Sequence, residues 1–325
     1  MRTGGDARFF CVIKNVDELK EAVLFSKEKD LRFFILGGGS NLIFPDNGFD
    51  GLIIKNEIKG IDIKDIDDNF RLVKIGAGEI WDEVVISSLN NKLYGLENLS
   101  YIPGTVGASA VQNIGAYGVE AKDFIEEVEV FDSKDFKIYT LSNSECLFGY
   151  RDSVFKKKKN LIIFSVTYKL SKKFLPNFKY SELKNIFSNK TVDNFSAEDV
   201  REAVIKLRKS KLPEVSELGS VGSFFKNPVL LKEEHEKLLI TFPNLLSFVV
   251  DENRVKIPLG FILDKICSLK GYKEGDVGLY EKQALVIVNY GKATSLDIIN
   301  FSKEIKKIVK EKIGLEVEEE AEILL

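Results

Sequence analysis

Three glycine-rich turns restrict this chain more than any other feature. They are "GGGSN" (37–41), "GAGE" (76–79) and the long "IPGTVGASAVQNIGAYG" (102–118), each after a strand-like run such as "RFFIL" or "LVKI". Glycine lets backbone N–H groups approach an anion with no side chain in the way. One such loop is usually only a turn; three in one region favour a large phosphate-bearing cofactor. None has the G-x-G-x-x-G spacing with a downstream acid, and none is a Walker A sequence. A Rossmann or P-loop fold is therefore not expected.

The rest of the N-terminal part alternates strand and helix signals. Asn15 with Glu18 reads as a helix start. "RFFIL" reads as a buried strand, "NLIF" and "GLIIK" as short strands, Trp81 to about Asn90 as a helix, and "EEVEVFD" and "LIIFSVTYKL" as further strands. Near residue 196 the pattern changes. Ser196 and Asp199 form a capping-box start for a helix with Val200, Val204 and Leu207 on one face, which carries Arg208 and Lys211 to its C-terminal end. The remainder reads as a separate α+β unit. It has a helix near "IPLGFILDKICSLKG", a strand "ALVIVN", and a long helix from about Ser295 to Ile313 with Ile298, Ile305 and Val309 inward. The tail "GLEVEEEAEILL" suits an edge strand with a solvated face.

Composition narrows the function. A length of 325 residues fits two or three domains, and a net charge of −3 with no overall basic excess argues against nucleic acid as the main partner. The run Lys156 to Lys159 reads as a solvated loop. Cys11, Cys146 and Cys267 are far apart with no Cys-x-x-Cys pair, so neither zinc nor an iron–sulfur cluster is expected and free thiols in a reducing compartment are. No run is long and apolar enough to span a bilayer, and "MRTGGDARFF" has no apolar signal core. A cytoplasmic protein is expected.

"GSVGSFFKNP" (219–228) sets a lone Ser223 between a glycine and two phenylalanines. A nucleophilic serine needs a base beside it, and the chain has one histidine, His235, in "KEEHEKLL". Ser223 is therefore not read as a histidine-activated nucleophile. Arg151 in "FGYRDSVFK", taken alone, is as easily a structural ion pair as a site.

These strings, "GGGSNLIF", "IPGTVGASAVQNIGAYGVE", "FGYRDSVFK", "RKSKLPEV" and "GSVGSFFKNP", occur in that order over nearly the whole chain. Together they resemble the UDP-N-acetylenolpyruvoylglucosamine reductase (MurB) family. The resemblance implies an α+β fold with a flavin-binding part of the vanillyl-alcohol-oxidase type. Its expected divisions are one flavin lobe at 1–55, a second at 56–200, and a substrate domain at 201–325 whose last residues return toward the flavin. It implies non-covalent FAD, reduction by NADPH, and UDP-N-acetylglucosamine enolpyruvate as substrate. Hydride passes from flavin N5 to the enolpyruvyl methylene, and the neighbouring carbon is then protonated. A monomer without membrane or nucleic-acid partners is implied.

Carried over by motif, Arg151 polarises the substrate carboxylate, Ser223 protonates the carbon, and Glu320 helps to polarise the enol. A hydroxyl is a weak acid, but transfer to a strongly basic carbon is downhill. The flavin contacts implied are Gly37, Gly38, Gly39, Ser40, Asn41, Gly76, Gly78, Pro103, Gly104, Gly107, Ala108, Gln112, Asn113, Gly115, Ala116 and Tyr117. The implied substrate contacts are Tyr180, Lys211, Asn227 and Gln283, and Tyr180 marks the subclass with a tyrosine-bearing loop. Two departures stand out. The family usually has a dozen or so residues before "RTGGDARFF", so an incomplete first strand is expected. Its tail commonly reads Leu-Glu-Pro-Glu where this chain has Val317-Glu318-Glu319-Glu320, which leaves Glu318 as a rival to Glu320. Another flavin oxidase of this fold, or a catalytically silent flavin or UDP-sugar binding protein, are the alternatives.

Overall fold

The computed structural model describes all residues except 190, 192, 193, 215 and 325. The chain divides into two compact units, and both are discontinuous. The larger comprises Ala7–Gly39 and Phe49–Arg208; the smaller comprises Met1–Asp6, Ser40–Gly48 and Lys209–Leu325. This differs from the contiguous segments 1–55, 56–200 and 201–325 expected from sequence. Residues 1–6 and 40–48 belong with the C-terminal segment because they hydrogen-bond to it. Ser295 donates from its N–H (2.6 Å) and its hydroxyl (2.5 Å) to the Asp46 carboxylate, and Glu322 donates its N–H to the Asn41 carbonyl (3.0 Å).

In the larger unit, β1 (Ala7–Ile13), α1 (Val16–Glu28), β2 (Phe33–Leu36) and β3 (Phe49–Asn56) form a parallel sheet in the order β1-β3-β2 with its helix. Asn15 caps α1 as its sequence suggests: its side chain accepts from the Glu18 N–H (2.9 Å), and Glu18 accepts from the Lys14 N–H (2.7 Å). Leu19 and Val23 pack with Ile13, Leu52 and Ile54. The central strand β3 is the buried one, as expected of a parallel strand flanked on both sides. The residues of β2, read from "RFFIL" as buried, are only half-buried, because β2 is an edge strand.

A five-stranded antiparallel sheet follows: β4 (Ile61–Asp65), β5 (Phe70–Gly76), β6 (Ile125–Asp132), β7 (Lys137–Ser142) and β8 (Leu161–Ser171), in the order β7-β6-β8-β5-β4. Against it pack α2 (Trp81–Asn90) and α3 (Val106–Gln112). Trp81 is buried and donates its indole N–H to the Leu99 carbonyl (2.8 Å); the buried Tyr168 hydroxyl meets that of Ser109 (2.7 Å). Both aromatics thus bury their area with the polar tip satisfied. Helix α4 (Ala197–Lys211) starts on the expected box, Ser196 and Asp199 bonding reciprocally (2.7 and 3.2 Å). Its Val200 and Val204 pack with Leu183, Phe187 and Phe195.

The smaller unit holds β9 (Gly219–Ser223), β10 (Lys273–Glu274), β11 (Val277–Tyr280) and β12 (Gln283–Asn289) in the order β9-β12-β11-β10, covered by α5 (Ser295–Ile313). Thr294 and Asp297 box the start of α5, and Gly314 ends it. Ile298, Ile305 and Val309 face the core with Phe224, Leu279 and Ile287. The helix expected near "IPLGFILDKICSLKG" is one short α turn, Leu259–Phe261, widening into a π-helical turn, Ile262–Ile266. The acidic tail is a strand only at Glu322–Ile323, paired in parallel with Leu42–Ile43. Its alternation reflects Val317 and Ala321 reaching the core rather than a long edge strand. Among the described residues the three cysteines are free, no helix is long and apolar enough to cross a membrane, and no acid, histidine and cysteine cluster could hold a metal.

Asp82 on α2 and Arg201 on α4 form a largely buried fork, with Nη1–Oδ1 at 2.6 Å and Nη2–Oδ2 at 2.7 Å. Burial alone would raise the Asp82 pKa; the Arg201 and Tyr101 hydrogen bonds outweigh it and hold the carboxyl below its ordinary range. A depressed folded-state value means that the stabilisation is complete above the unfolded pKa, about 3.9, and is lost as pH falls through the folded value. Arg201→Met should therefore cost about 3 kcal/mol at neutral pH. In urea titrations the gap from wild type should narrow below about pH 4; a gap that widens there would contradict the assignment.

Candidate active site

The three glycine turns meet backbone to backbone in the larger unit. A Cβ on Gly38 would stand 2.7 Å from Gly104 Cα, one on Gly37 2.8 Å from Thr105 Oγ1, and one on Gly107 2.9 Å from the Ala77 methyl. A Cβ on Gly76 would stand 2.4 Å from the Ile58 carbonyl, and one on Gly78 2.5 Å from Glu57 Cα. Lys55 donates its ammonium to the Gly37 carbonyl. Pro103 and Ala108 flank the same contacts, Ala108 within 3.6 Å of a Gly37 Cβ. The boundary between units falls after Gly39, so Ser40 and Asn41 count with the smaller one. The turns are packed so closely that larger residues would force them apart, and backbone-rich turns of this kind offer N–H donors suited to an extended anionic ligand such as a dinucleotide.

The second half of the long loop is held from within. Asn113 is buried in the left-handed region (φ 46°) and ends α3. Its amide donates to Glu120 (3.0 Å) and the Gly149 carbonyl (2.8 Å) and accepts from the Lys122 N–H (3.0 Å). Its side chain is thus engaged by the protein itself. Gln112 precedes it, half-buried, and Gly115–Ala116 pair with Val119–Glu120. Arg151 (φ 53°) donates to the Gly115 carbonyl, lies over the Tyr150 ring (5.3 Å), and has its own carbonyl held by Lys156 (2.7 Å). Tyr117 meets Tyr180 edge to face at 5.1 Å. Burial pushes the Tyr117 hydroxyl up to about 12, against the opposing charge of Arg208.

Arg208 was not among the site residues suggested by sequence. It is largely buried near Tyr117, Tyr101, Asp82 and Arg151. The available signal was its position, three residues before Lys211 at the end of α4. Burial weighs first against its charge, and the like charge of Arg151 adds to that.

In the smaller unit Ser223 ends β9 beyond a register shift against β12, between Ser220 and Ser223. Gly222 carries the bulge with φ 73° and open space around it, so glycine is needed there for conformation rather than room. Phe224 and Phe225 are fully buried and anchor the turn. The tail is stitched alongside. Glu320 donates its N–H to the Phe224 carbonyl (2.8 Å), Lys226 donates its N–H to the Glu318 carbonyl (2.9 Å), and Asn41 donates its amide to the Glu320 carbonyl (3.0 Å). The Glu318 side chain is 78% exposed and paired with Lys226 (3.0 Å), and Glu319 is paired with Lys306 (3.0 Å). Glu320 is half-buried on the backbone next to Ser223. Asn227 accepts from the Leu259 N–H (2.9 Å), Gln283 accepts from the Leu285 N–H (3.3 Å), and Lys211 is half-buried at the end of α4. His235 lies in a separate helix, Lys232–Thr241.

Residues 7–142 match a family model described as an FAD binding domain, and residues 214–324 match the C-terminal domain of UDP-N-acetylenolpyruvoylglucosamine reductase. The reductase of Flavobacterium johnsoniae is 41% identical over 98% of this chain and 94% of its own length. That of Neisseria gonorrhoeae is 41% identical over 97% of this chain and 91% of its own. The crystal structure of the reductase (MurB) from Thermus caldophilus matches with a TM-score of 0.68 at 25% identity, over 97% of this chain and 92% of that one.

Two glycine substitutions separate room from conformation. Gly38→Ala drives a methyl into backbone and should cost about 1–3 kcal/mol. Gly222→Ala meets no neighbour and should cost about 1–2 kcal/mol through the left-handed backbone alone. Thermal melts read both; a neutral Gly38→Ala would refute the close packing of the turns.

Proposed function

This chain belongs to the UDP-N-acetylenolpyruvoylglucosamine reductase family, and on that premise we propose that it reduces UDP-N-acetylglucosamine enolpyruvate to UDP-N-acetylmuramate with electrons from NADPH. It is an FAD-containing oxidoreductase whose α+β fold joins a flavin-binding part of the vanillyl-alcohol-oxidase type to the family's C-terminal domain. Its setting in this reading is the cytoplasm, as a monomer in peptidoglycan precursor synthesis.

Bound FAD supplies the hydride relay between the two substrates. The glycine turns fit its diphosphate, since at Gly37, Gly38 and Gly107 a Cβ would clash with Thr105, Gly104 and Ala77 and only bare backbone is accommodated. We assign the holding of the flavin to these turns and their flanking residues, without a covalent link. The two flavin lobes of this reading correspond to the parallel sheet and the antiparallel sheet.

The remaining work falls to side chains. Arg151, oriented by the Gly115 carbonyl, neutralises the substrate carboxylate and so draws charge off the carbon that must be protonated. Ser223 gives its hydroxyl proton to that carbon, and Glu320 polarises the enol. Lys211 and Asn227 donate to the diphosphate with Tyr180 closing over it, and Gln283 contacts the sugar. The observation that supports this reading is the stitch of Glu320 to Phe224, which runs the backbone of an acid beside the segment that carries Ser223 next to a glycine bulge. Glu318 and Glu319 are committed to Lys226 and Lys306, which supports Glu320 as the acid.

Anaerobic NADPH should bleach the yellow protein, and the enolpyruvyl UDP-sugar should restore its colour. No return of colour on adding the sugar sinks the reductase reading, and fast return with oxygen alone favours an oxidase. Ser223→Ala should keep the bleaching rate and slow the return by about 100- to 10,000-fold; loss of bleaching would refute the late proton. Glu320→Gln should impair the return far more than Glu318→Gln, and the reverse order would move the role to Glu318.

A further inference from the structure

Helix α4 carries two arginines two turns apart on one face, and they are treated differently. Arg201 takes the whole Asp82 carboxylate: its Nη1 bonds Oδ1, which also accepts the Tyr101 N–H (2.5 Å), and its Nη2 bonds Oδ2. Among the described residues that acid makes no ion pair with Arg208. The Arg208 Nε donates to the Tyr101 carbonyl (3.0 Å), which fixes the plane of the guanidinium. Among the described residues, the two Nη amines have no hydrogen-bond partner and no carboxylate is within ion-pair distance. The neighbours that bear on its charge are Tyr117, Asp82, Tyr101 and a second cation, Arg151.

A largely buried guanidinium beside a like charge is costly unless an anion completes it. Two arginines are held near each other in the flavin-bearing unit, each oriented through a backbone carbonyl. A spare pair of amines on a fixed plane matches a planar, delocalised oxyanion, which a guanidinium binds with two parallel hydrogen bonds.

We propose that Arg208 is a further binding residue of the reductase site and takes a planar oxyanion with its Nη amines. The inference rests on the flavin reductase reading. That chemistry has two sources in the reaction: the enolpyruvyl carboxylate, and the N–C–O edge of the flavin ring, which gains negative charge on reduction.

The test uses Arg208→Gln and Arg208→Lys as FAD-loaded proteins beside wild type. Flavin content and thermal melting report folding, dye equilibration reports the flavin midpoint potential, and the two half-reactions are timed separately. For the carboxylate, the potential and NADPH bleaching stay at wild-type values. KM for the sugar then rises or its half-reaction slows about 10- to 100-fold in Arg208→Gln, the loss of one charged hydrogen-bonded contact. For the flavin edge, the potential falls in Arg208→Gln and falls less in Arg208→Lys, which keeps the charge without the fork. If Arg208→Gln does not fold, Arg208→Lys carries the same readings. A lower melting temperature with wild-type potential and wild-type sugar kinetics overturns the proposal. Failure of the wild-type protein to be reoxidised by the sugar would instead overturn the reductase reading.

Discussion

Close approach of bare backbone is the constraint on which the larger unit depends. The turn after β2, the turn after β5 and the loop leading into α3 occupy one small volume, with Gly38 against Gly104 and Gly107 against Ala77. A side chain at any of these points would separate the sheets' loops and replace an amide-lined surface with an apolar one. Glycine costs entropy in the unfolded chain. The chain accepts that cost repeatedly here because the turns could not otherwise pack this closely.

Charge is distributed with comparable economy. Asp82 and Arg201 satisfy each other almost completely, tying α2 to α4. The same α4 then carries Arg208 to a place where, among the described residues, it forms no ion pair and its Nε donates to the Tyr101 carbonyl. Arg151 donates to the Gly115 carbonyl. Arg151 and Arg208 thus each donate to a backbone carbonyl, which orients a guanidinium without itself neutralising it.

In the smaller unit, the tail does what a local motif cannot. Its backbone runs beside Phe224 and Phe225, so the acid at 320 is positioned by hydrogen bonds to the segment that carries Ser223. The loss of the family proline leaves three consecutive glutamates, and salt bridges sort them. Glu318 goes to Lys226 at the surface and the half-buried Glu319 to Lys306 on α5, while the Glu320 N–H bonds the Phe224 carbonyl.

Much of this was legible in the sequence where the controlling interaction is local. The starts of α1 and α4 followed from side chains that bond three residues away. The glycine turns, Ser223 and Arg151 stood out because short motifs carry their own geometry. What only the tertiary structure decided depends on partners far along the chain. Residues 1–6 and 40–48 joined the C-terminal segment, "RFFIL" became an edge strand, and the tail was not a long strand. It paired Glu318 with Lys226 and Glu319 with Lys306, and of two like arginines on one helix it gave the Asp82 carboxylate to Arg201 rather than to Arg208. Local spacing shows which residues can act, but which pairs form is decided by hydrogen bonds and ion pairs to partners far along the chain, which no short window of sequence contains.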